Sequence, residues 1–514
     1  MRELMRAGES PADGPPPHLT QQAPIVVEAP PGEPLQARRR WPSANARWLL
    51  LVLAVALLVR VAWVATVQPD PRDGRFDDSV WYYSTGRLLA DGEGYVYPLD
   101  ALCDLGQRRD PGIDCAADPP PTALWAPGYP LVLSALFHLP GDDVAWGRAL
   151  NVAAGLALVC AVYYLGSRLW SPRAGLLAAA IVALFPSHIF FSSLLMTEPL
   201  FAAMLAGALC LALAWTMERD APKWKLIGLG LAIGTLAMVR PEAGILVAVF
   251  AAVWFMLHPS WRWLGQRLAL LALGMAVLLV PWTARNWAEM GSPIVGTTGL
   301  GQVLLQAHHP RAGGQPNIGI VDNLWDQYKG TALPEREVRM NSFGVRESIA
   351  YAVKHPWSDL SRVPDRFAAF YRGDRGAIQW NQVSDGDGKQ LLASSADGWG
   401  LLSDIYYYTI IGCAVVCLPF WLRRARAQHG LIFGPFAIYS LLWAFVFVGE
   451  ARYHFPLVPV FAVTAGIGLA ALTERSFGGR RAAERASPAL PAPVPVPEGV
   501  YTLLRGQEHD ADGR

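Results

Sequence analysis

An acidic pair, Asp77 and Asp78, stands shortly before a run of aromatic residues around Tyr82. A carboxylate can take up or give a proton during a reaction, and aromatic rings can contact a substrate beside it. The pair lies in the polar stretch 75–98, shortly after the first strongly apolar segment of the chain. This stretch predicts the catalytic carboxylate of a membrane enzyme.

The composition is that of a membrane protein. Of the 514 residues, 53% are hydrophobic and 17% are charged, whereas soluble domains usually carry about 25% charged residues. Apolar runs long enough to cross a bilayer recur along the chain, which predicts an all-α polytopic membrane protein. The net charge of +1 and the lack of a basic patch with interleaved aromatic residues argue against a nucleic-acid partner.

About ten transmembrane helices are predicted, with both termini in the cytoplasm. This orientation puts the clusters of Lys and Arg on the inner side, as the positive-inside rule requires. The apolar stretch 128–139 is shorter than the ~20 residues that a span needs, so we expect an interfacial outer helix there. The predicted spans are 48–67, 145–167, 174–191, 195–216, 226–240, 242–258, 268–285, 399–421, 431–448 and 454–472.

These spans divide the chain into five segments. The two ends are polar and rich in proline, and they cannot bury enough apolar surface to fold alone. The segments are a disordered cytoplasmic tail at 1–46, a membrane core at 47–285 with a first outer loop at 68–127, a long extracytoplasmic loop at 286–398, the last membrane helices at 399–472, and a second disordered tail at 473–514.

The charged residues near the span ends fall on the outer side in this topology. A charge well inside the bilayer costs about 2.5–3.5 kcal/mol on insertion scales, so such residues usually pair or line a polar cavity. The pattern therefore predicts one wet cavity at the outer leaflet. Beside the acidic pair, its residues are Glu198, Arg240, Glu242, Arg285, Glu450 and Arg452.

Two cysteines, Cys103 and Cys115, flank a polar stretch of the first outer loop. Disulfides persist outside the cytoplasm, so this pair can form one if the loop is extracytoplasmic. A metal site is less favoured, because no histidine lies near them in the sequence.

The motifs APGYPLVL, RALN, TEPLF, VRPE, PWTARNW and GEARYHFPLVP follow one another in a set order. In this order and spacing, the chain resembles the C-type glycosyltransferase superfamily over roughly 46–472, and within it the bacterial relatives of protein O-mannosyltransferases (glycosyltransferase family 39). The resemblance implies inverting transfer of a sugar from a polyprenyl-phosphate donor to an extracytoplasmic acceptor, which is a protein, a cell-envelope glycan or a lipid.

The resemblance also implies roles for the polar residues. Asp78 matches the family's acid better than Asp77 does, so Asp78 is the expected general base and Asp77 a helper. The candidates for the donor phosphate are Arg285, Arg452 and Arg240, those for cavity carboxylates are Glu198, Glu242 and Glu450, and those for contacts to the sugar are Tyr82 and Tyr129.

Each role has a structural alternative. Asp78 can cap a helix, and Glu198 can be a first-turn acid that the helix dipole favours. The arginines can reach lipid head groups or pair with neighbouring acids. The two tyrosines can belong to the aromatic belt of a membrane interface.

The sequence shows no cofactor. A divalent ion between Asp78 and Glu198 is compatible with the oxygen ligands that such ions prefer, whereas His308, His309 and His454 lack partners at ligand spacing.

The alternative functions are a transporter or flippase of lipid-linked sugars and a non-catalytic scaffold. Transporters usually contain internal repeats, and none is found in this sequence. The expected partners are the lipid bilayer, the polyprenyl-phosphate sugar and the acceptor, in a multi-pass plasma-membrane protein whose active site is extracytoplasmic.

Overall fold

The computed structural model describes residues 43–72, 78–104, 113–383, 395–423 and 426–486. Within them the chain is helical, and no strand is formed beyond an isolated bridge between Val96 and Pro121. The all-α architecture predicted from the composition is confirmed for these residues. Residues 1–42 and 487–514 of the predicted disordered tails lie outside the described residues, whereas 473–486 continue the last helix, Val458–Ala486.

Six of the described helices are long and apolar enough to cross a membrane. A bent pair, Pro172–Ala183 and Pro186–Ser193, turns by 60° at its break and raises the number to seven if it counts as one span. The six are Asn45–Thr66, Asp143–Leu169, Thr197–Trp215, Trp261–Met290, Ala396–Leu422 and Ala451–Thr473. The protein is thus a multi-pass membrane protein.

The predicted count of ten spans is not confirmed. The remaining three predicted spans correspond to apolar helices shorter than 18 residues, namely Lys223–Val239, Gly430–Phe445 and, after a 3₁₀ turn at Pro241–Ile245, Leu246–Leu257. The helix Gly128–Phe137 is only 10 residues long, as expected for a segment that does not span.

Side-chain caps fix where several helices start. Asp142 accepts a hydrogen bond from the backbone N–H of Ala145 at 3.0 Å, and Ser171 accepts one from Ala174 at 3.3 Å. Such caps satisfy backbone donors that a helix start leaves unpaired. The 30-residue helix Trp261–Met290 is followed by Gly291, whose φ of 68° is a left-handed conformation that glycine adopts readily.

The last span is the centre of the membrane region. In its most apolar window 89% of the residues are buried, against 17% for the first span, Asn45–Thr66. The last span packs against the helices Pro172–Ala183 and Ala396–Leu422. The GEARYHFP motif stands at the start of this span, so its charged residues lie at one end of a largely buried helix.

The segment 286–398 is a helical structure and not an irregular loop over its described part. Glu337, Arg336 and Arg366 are buried polar residues within it. Its helices after Met290 are Leu300–Ala307, Ile318–Gln327, Leu333–Lys354, Pro356–Leu360, Val363–Phe370 and Gly376–Val383. In the first outer loop, a disulfide joins Cys103, in the helix Leu99–Asp104, to Cys115.

The helices Lys223–Val239 and Trp261–Met290 pack closely through glycines. We expect Gly274→Ala to destabilise the protein by about 1–3 kcal/mol, the usual cost of overpacking, because the added methyl would overlap the carbonyl oxygen of Ile227. Thermal unfolding of the detergent-purified protein measures this. Gly265→Ala in the same helix is the control, since its methyl would meet no atom within 4 Å. Equal unfolding temperatures for the two variants would contradict the packing.

Candidate active site

The carboxylate of Asp78 forms an ion pair with the guanidinium of Arg452. Asp78 is the first residue of the helix Asp78–Ala90, and Arg452 lies at the start of the last span. Nη1 of Arg452 donates a hydrogen bond to Oδ2 of Asp78 at 2.7 Å. The side chains are 13% exposed at Arg452 and 23% exposed at Asp78, so the carboxylate is paired and still accessible.

Three further groups surround the Arg452 guanidinium. Its carbon lies 4.7 Å from the ring centroid of Trp380 and 5.1 Å from that of Tyr453, and its Nε lies 3.1 Å from Oε1 of Glu450. Aromatic faces attract a cation through the quadrupole of the ring. Two acids and two rings therefore hold the guanidinium in place beside Asp78.

A second ion pair is centred on Arg240, at the corner formed by the VRPE motif. Arg240 donates from Nη2 to Oε1 of Glu198 at 2.6 Å and from Nε to the hydroxyl of Thr197 at 2.9 Å. Its Nη1 lies 3.7 Å from Oε1 of Glu242. The Glu198 side chain is fully buried, so its charge needs this partner.

Tyr82 lies where the two ion pairs meet. Burial raises the pKa of its hydroxyl well above the usual value, and the negative charge of Asp78 is the next cause. The charges of Arg240, Glu198 and Arg452 also act on this hydroxyl. Four of the residues predicted to share one cavity, Asp78, Glu198, Arg240 and Arg452, therefore act on the same hydroxyl.

The ring of Tyr129 packs edge-on against that of Tyr82, with 5.4 Å between their centroids. Its hydroxyl faces Oδ1 of Asn151 at 3.4 Å. Tyr129 is fully buried. The structure thus brings both predicted sugar contacts to the cluster, with Tyr129 behind Tyr82.

His454 connects the corner that carries Arg452 to the segment 286–398. Its Nδ1 lies 2.7 Å from the carbonyl oxygen of Phe370, and its Nε2 lies 3.3 Å from Oδ1 of Asp374. Oδ2 of Asp374 in turn accepts a hydrogen bond from the hydroxyl of Ser403 at 2.9 Å. The segment 286–398 therefore binds the corner through buried polar contacts.

Arg285 lies in a different set of contacts. It donates to the carbonyl oxygens of Thr122 at 2.7 Å and Tyr95 at 2.6 Å, and to Oδ1 of Asn286 at 3.1 Å. These bonds tie the end of the span Trp261–Met290 to the first outer loop. A role of Arg285 at the donor phosphate stays a prediction, but most of its donors already have protein partners.

A buried carboxylate that sequence reasoning missed, Glu337, lies in the same region. It accepts hydrogen bonds from the Thr122 hydroxyl at 2.5 Å, the Ala123 N–H at 3.0 Å and the Thr298 hydroxyl at 2.6 Å. Burial raises the pKa of Glu337, and the hydrogen bonds oppose this shift. Trp380 was missed too, because no motif marks either residue in the sequence.

Asp77 lies outside the described residues. Four carboxylates, Asp78, Glu198, Glu242 and Glu450, face the two guanidinium groups of the cluster, so the excess negative charge favours a cation. In the described part of the chain, however, no group of three or more His, Cys, Asp or Glu is placed to hold a metal ion. A divalent ion stays a prediction.

We expect Glu337→Ala to lower the unfolding temperature of the purified protein, because three buried donors lose their acceptor. Each unsatisfied buried group costs about 1–3 kcal/mol. The control is Glu335→Ala on the same helix, whose exposed carboxylate pairs with Arg339. An unfolding temperature for Glu337→Ala equal to that of the control would show that the carboxylate does not hold the first outer loop.

The chain resembles several solved structures in its fold. Oligosaccharyltransferase AglB from Archaeoglobus fulgidus, solved with an inhibitory peptide and a dolichol-phosphate, is 14% identical, with a TM-score of 0.49 over 90% of this chain and 55% of its own. ArnT from Cupriavidus metallidurans, bound to undecaprenyl phosphate, is 15% identical, with a TM-score of 0.40 over 87% of this chain and 82% of its own. At these TM-scores neither likeness supports a statement about function.

The chain spans about half the length of the archaeal oligosaccharyltransferase. A comparison with curated protein sequences gives no match. Residues 120–284 match the family described as dolichyl-phosphate-mannose-protein mannosyltransferase. The matched segment contains APGYPLVL, TEPLF and VRPE, but neither the acidic pair nor GEARYHFP. Nothing in this match supports a transporter. The resemblance predicted from the motifs is confirmed: residues 120–284 carry the sequence pattern of the dolichyl-phosphate-mannose-protein mannosyltransferases, a family of C-type membrane glycosyltransferases.

Proposed function

We propose that the protein transfers a sugar from a polyprenyl-phosphate donor to an acceptor on the extracytoplasmic face of the membrane. The observation that carries the proposal is the ion pair of Asp78 with Arg452. This pair joins a partly accessible carboxylate to a cation. The proposed transfer needs a carboxylate as its base and a cation that binds the phosphate. The family match at 120–284 supports a lipid-phosphate donor.

Asp78 is the proposed general base. A base must come within hydrogen-bond reach of the acceptor proton, and the Asp78 side chain keeps 23% of its surface accessible. Glu198 is a weaker candidate, because its side chain is fully buried and paired with Arg240. Asp77 keeps its proposed role as a helper.

The reaction is a single displacement with inversion. The proton of the acceptor hydroxyl moves to the Asp78 carboxylate while the hydroxyl oxygen forms a bond to the anomeric carbon. The bond from that carbon to the phosphate oxygen breaks, and its electron pair leaves with the polyprenyl phosphate. Arg452 and Arg240 stabilise the charge that develops on the phosphate, as guanidinium groups do through charge-assisted hydrogen bonds.

An apolar groove of about 320 Å³ is the proposed place of the donor's polyprenyl tail. Its lining includes Phe367 and Tyr371 from the segment 286–398 and Phe461 from the last span. Tyr371 directly follows Phe370, whose carbonyl oxygen binds His454 near the corner of Arg452. This connection supports a groove close to the place where we propose that the phosphate binds.

The proposed orientation follows from charge. The Lys and Arg clusters between spans favour cytoplasmic termini, which puts the site, the loop 68–127 and the segment 286–398 outside. The predicted segments 1–46, 47–285, 286–398, 399–472 and 473–514 stay part of the proposal.

We expect Asp78→Asn to lower sugar transfer by ~10²–10⁴-fold, the usual contribution of a general base, because the amide cannot take the proton. The measurement is lipid profiling of a deletion strain that expresses each variant. Accumulation of one polyprenyl-phosphate sugar identifies the donor. Asp118→Asn is the control, since Asp118 is an exposed residue of the same outer loop. Transfer at the wild-type rate by the Asp78 variant, in amounts of protein equal to wild type, would refute the assignment.

We expect substitutions of Arg452 and of Arg285 to change different properties of the protein. Arg452→Gln removes a charged hydrogen bond worth about 1.5–3 kcal/mol, so we expect the KM for the lipid donor to rise roughly ten- to hundredfold. Arg285→Gln removes bonds to the carbonyl oxygens of the first outer loop, so we expect a lower unfolding temperature with little change in KM. Transfer kinetics and thermal unfolding on both variants check this. The reverse pattern would move the phosphate site to Arg285.

A further inference from the structure

A second, polar pocket lies in the segment 286–398, away from the ion pairs of the candidate active site. It has a volume of about 460 Å³ and opens between the helices Leu300–Ala307, Ile318–Gln327 and Leu333–Lys354. Ligand sites usually measure about 300–1,000 Å³. The pocket is thus large enough for a ligand of one or two sugar rings.

The walls offer aromatic rings and amide groups. Tyr351 and His355 stand with their ring centroids 5.1 Å apart, and Phe343 lines the same pocket. Asn323 and Gln327 add side-chain amides, which can both donate and accept hydrogen bonds. Flat apolar rings beside such amides suit a sugar, which has apolar C–H faces and hydroxyl edges.

The pocket carries more positive than negative charge. Glu347 is the acidic residue of its lining, and its Oε1 already lies 3.3 Å from Nε of Arg346. Arg311 and Lys354 line it and are exposed, and neither has an ion pair with any residue that the structure describes. Other basic residues of this segment are paired, such as Lys329 with Asp326 at 2.9 Å. The pKa of His309 is lowered by burial and then by Arg311 and Arg362. The charges of Arg311 and Lys354 attract an anion to the pocket.

One wall of the pocket is bonded to the corner of the candidate active site. Nδ1 of His308 lies 3.0 Å from both oxygens of Asp359, and its Nε2 lies 3.0 Å from the carbonyl oxygen of Val446. Three residues later, Gly449 donates from its N–H to the carbonyl oxygen of Gly314 at 3.0 Å. Glu450, the partner of Arg452, comes next in the chain.

We propose that this pocket binds an anionic saccharide and is the subsite that holds the acceptor glycan of the transfer. The role of the pocket as an acceptor site rests on the proposed function. The class of ligand rests on the pocket's own rings, amides and cations. Among the acceptors that the sequence leaves open, it selects a cell-envelope glycan with carboxylate or phosphate groups. The contact of His308 with the carbonyl oxygen of Val446 connects this subsite to the chain that leads into the corner of Arg452.

The test is a binding measurement that needs no transfer. The full chain carrying Asp78→Asn is reconstituted in lipid nanodiscs without donor and titrated by calorimetry with digalacturonic acid. Lactose is the neutral disaccharide, and inorganic phosphate is the simple anion. The charge-removing variant combines Arg311→Gln with Lys354→Gln. The charge-preserving variant combines Arg311→Lys with Lys354→Arg. Lys329→Gln is the control, on a paired lysine of the same segment.

We expect digalacturonic acid to bind at least tenfold more tightly than lactose or phosphate. Its binding weakens at least tenfold in the charge-removing variant and in high salt, and it is unchanged in the charge-preserving variant and the Lys329 control. Equal binding of phosphate would reduce the pocket to a simple anion site, and equal binding of lactose would remove the role of charge. Either result, or undiminished binding in the charge-removing variant, overturns the proposal. Failure of the proposed transfer activity would leave these binding results unaffected, so the two hypotheses fail separately.

Discussion

The guanidinium of Arg452 holds together parts of the chain that are far apart in sequence. It is 13% exposed and enters the bundle at the start of the most buried span. A cation in such a place is stable only with partners. Asp78 from the first outer loop, Glu450 from the same corner, and the rings of Trp380 and Tyr453 supply them. The need to pair this charge therefore brings the candidate base to the candidate phosphate site.

The segment 286–398 supports this arrangement from outside the spans. It supplies Trp380 above Arg452 and the contacts of Phe370 and Asp374 to His454. Gly449 packs so closely on the carbonyl oxygen of Arg366 that a side chain at this position would overlap it. These contacts fix the backbone of the corner on both sides of Glu450. A segment that looked like a connecting loop is a structural part of the site.

The second ion pair, between Arg240 and Glu198, has a different character from the first. Its carboxylate is fully buried, so removing either partner would leave a buried charge alone, which is strongly destabilising. Asp78 keeps more access to solvent. This contrast in burial is why we propose Asp78, and not Glu198, as the residue that exchanges a proton with the substrate. Both act on Tyr82, which joins them into one cluster.

The sequence by itself determined the class of protein and the order of the motifs, and it predicts the side of the membrane on which the polar residues lie. Composition and apolar runs carry that information, because crossing a bilayer demands long apolar helices. The sequence also predicts Asp78, Arg452, Arg240 and Glu198 as site residues. The number of spans was less predictable, since helices of 16–17 residues such as Gly430–Phe445 and Lys223–Val239 are apolar in sequence but short in the fold.

Only the tertiary structure decided which residues meet. Arg285 and Arg452 look alike in sequence, each being an arginine at the end of a span, yet one binds the carbonyl oxygens of Tyr95 and Thr122 and the other binds Asp78. Partners separated by 374 residues along the chain are chosen by helix packing, which no local pattern records. For the same reason Trp380 and Glu337 had no signal in the sequence. Their positions follow from how the segment 286–398 folds onto the membrane helices.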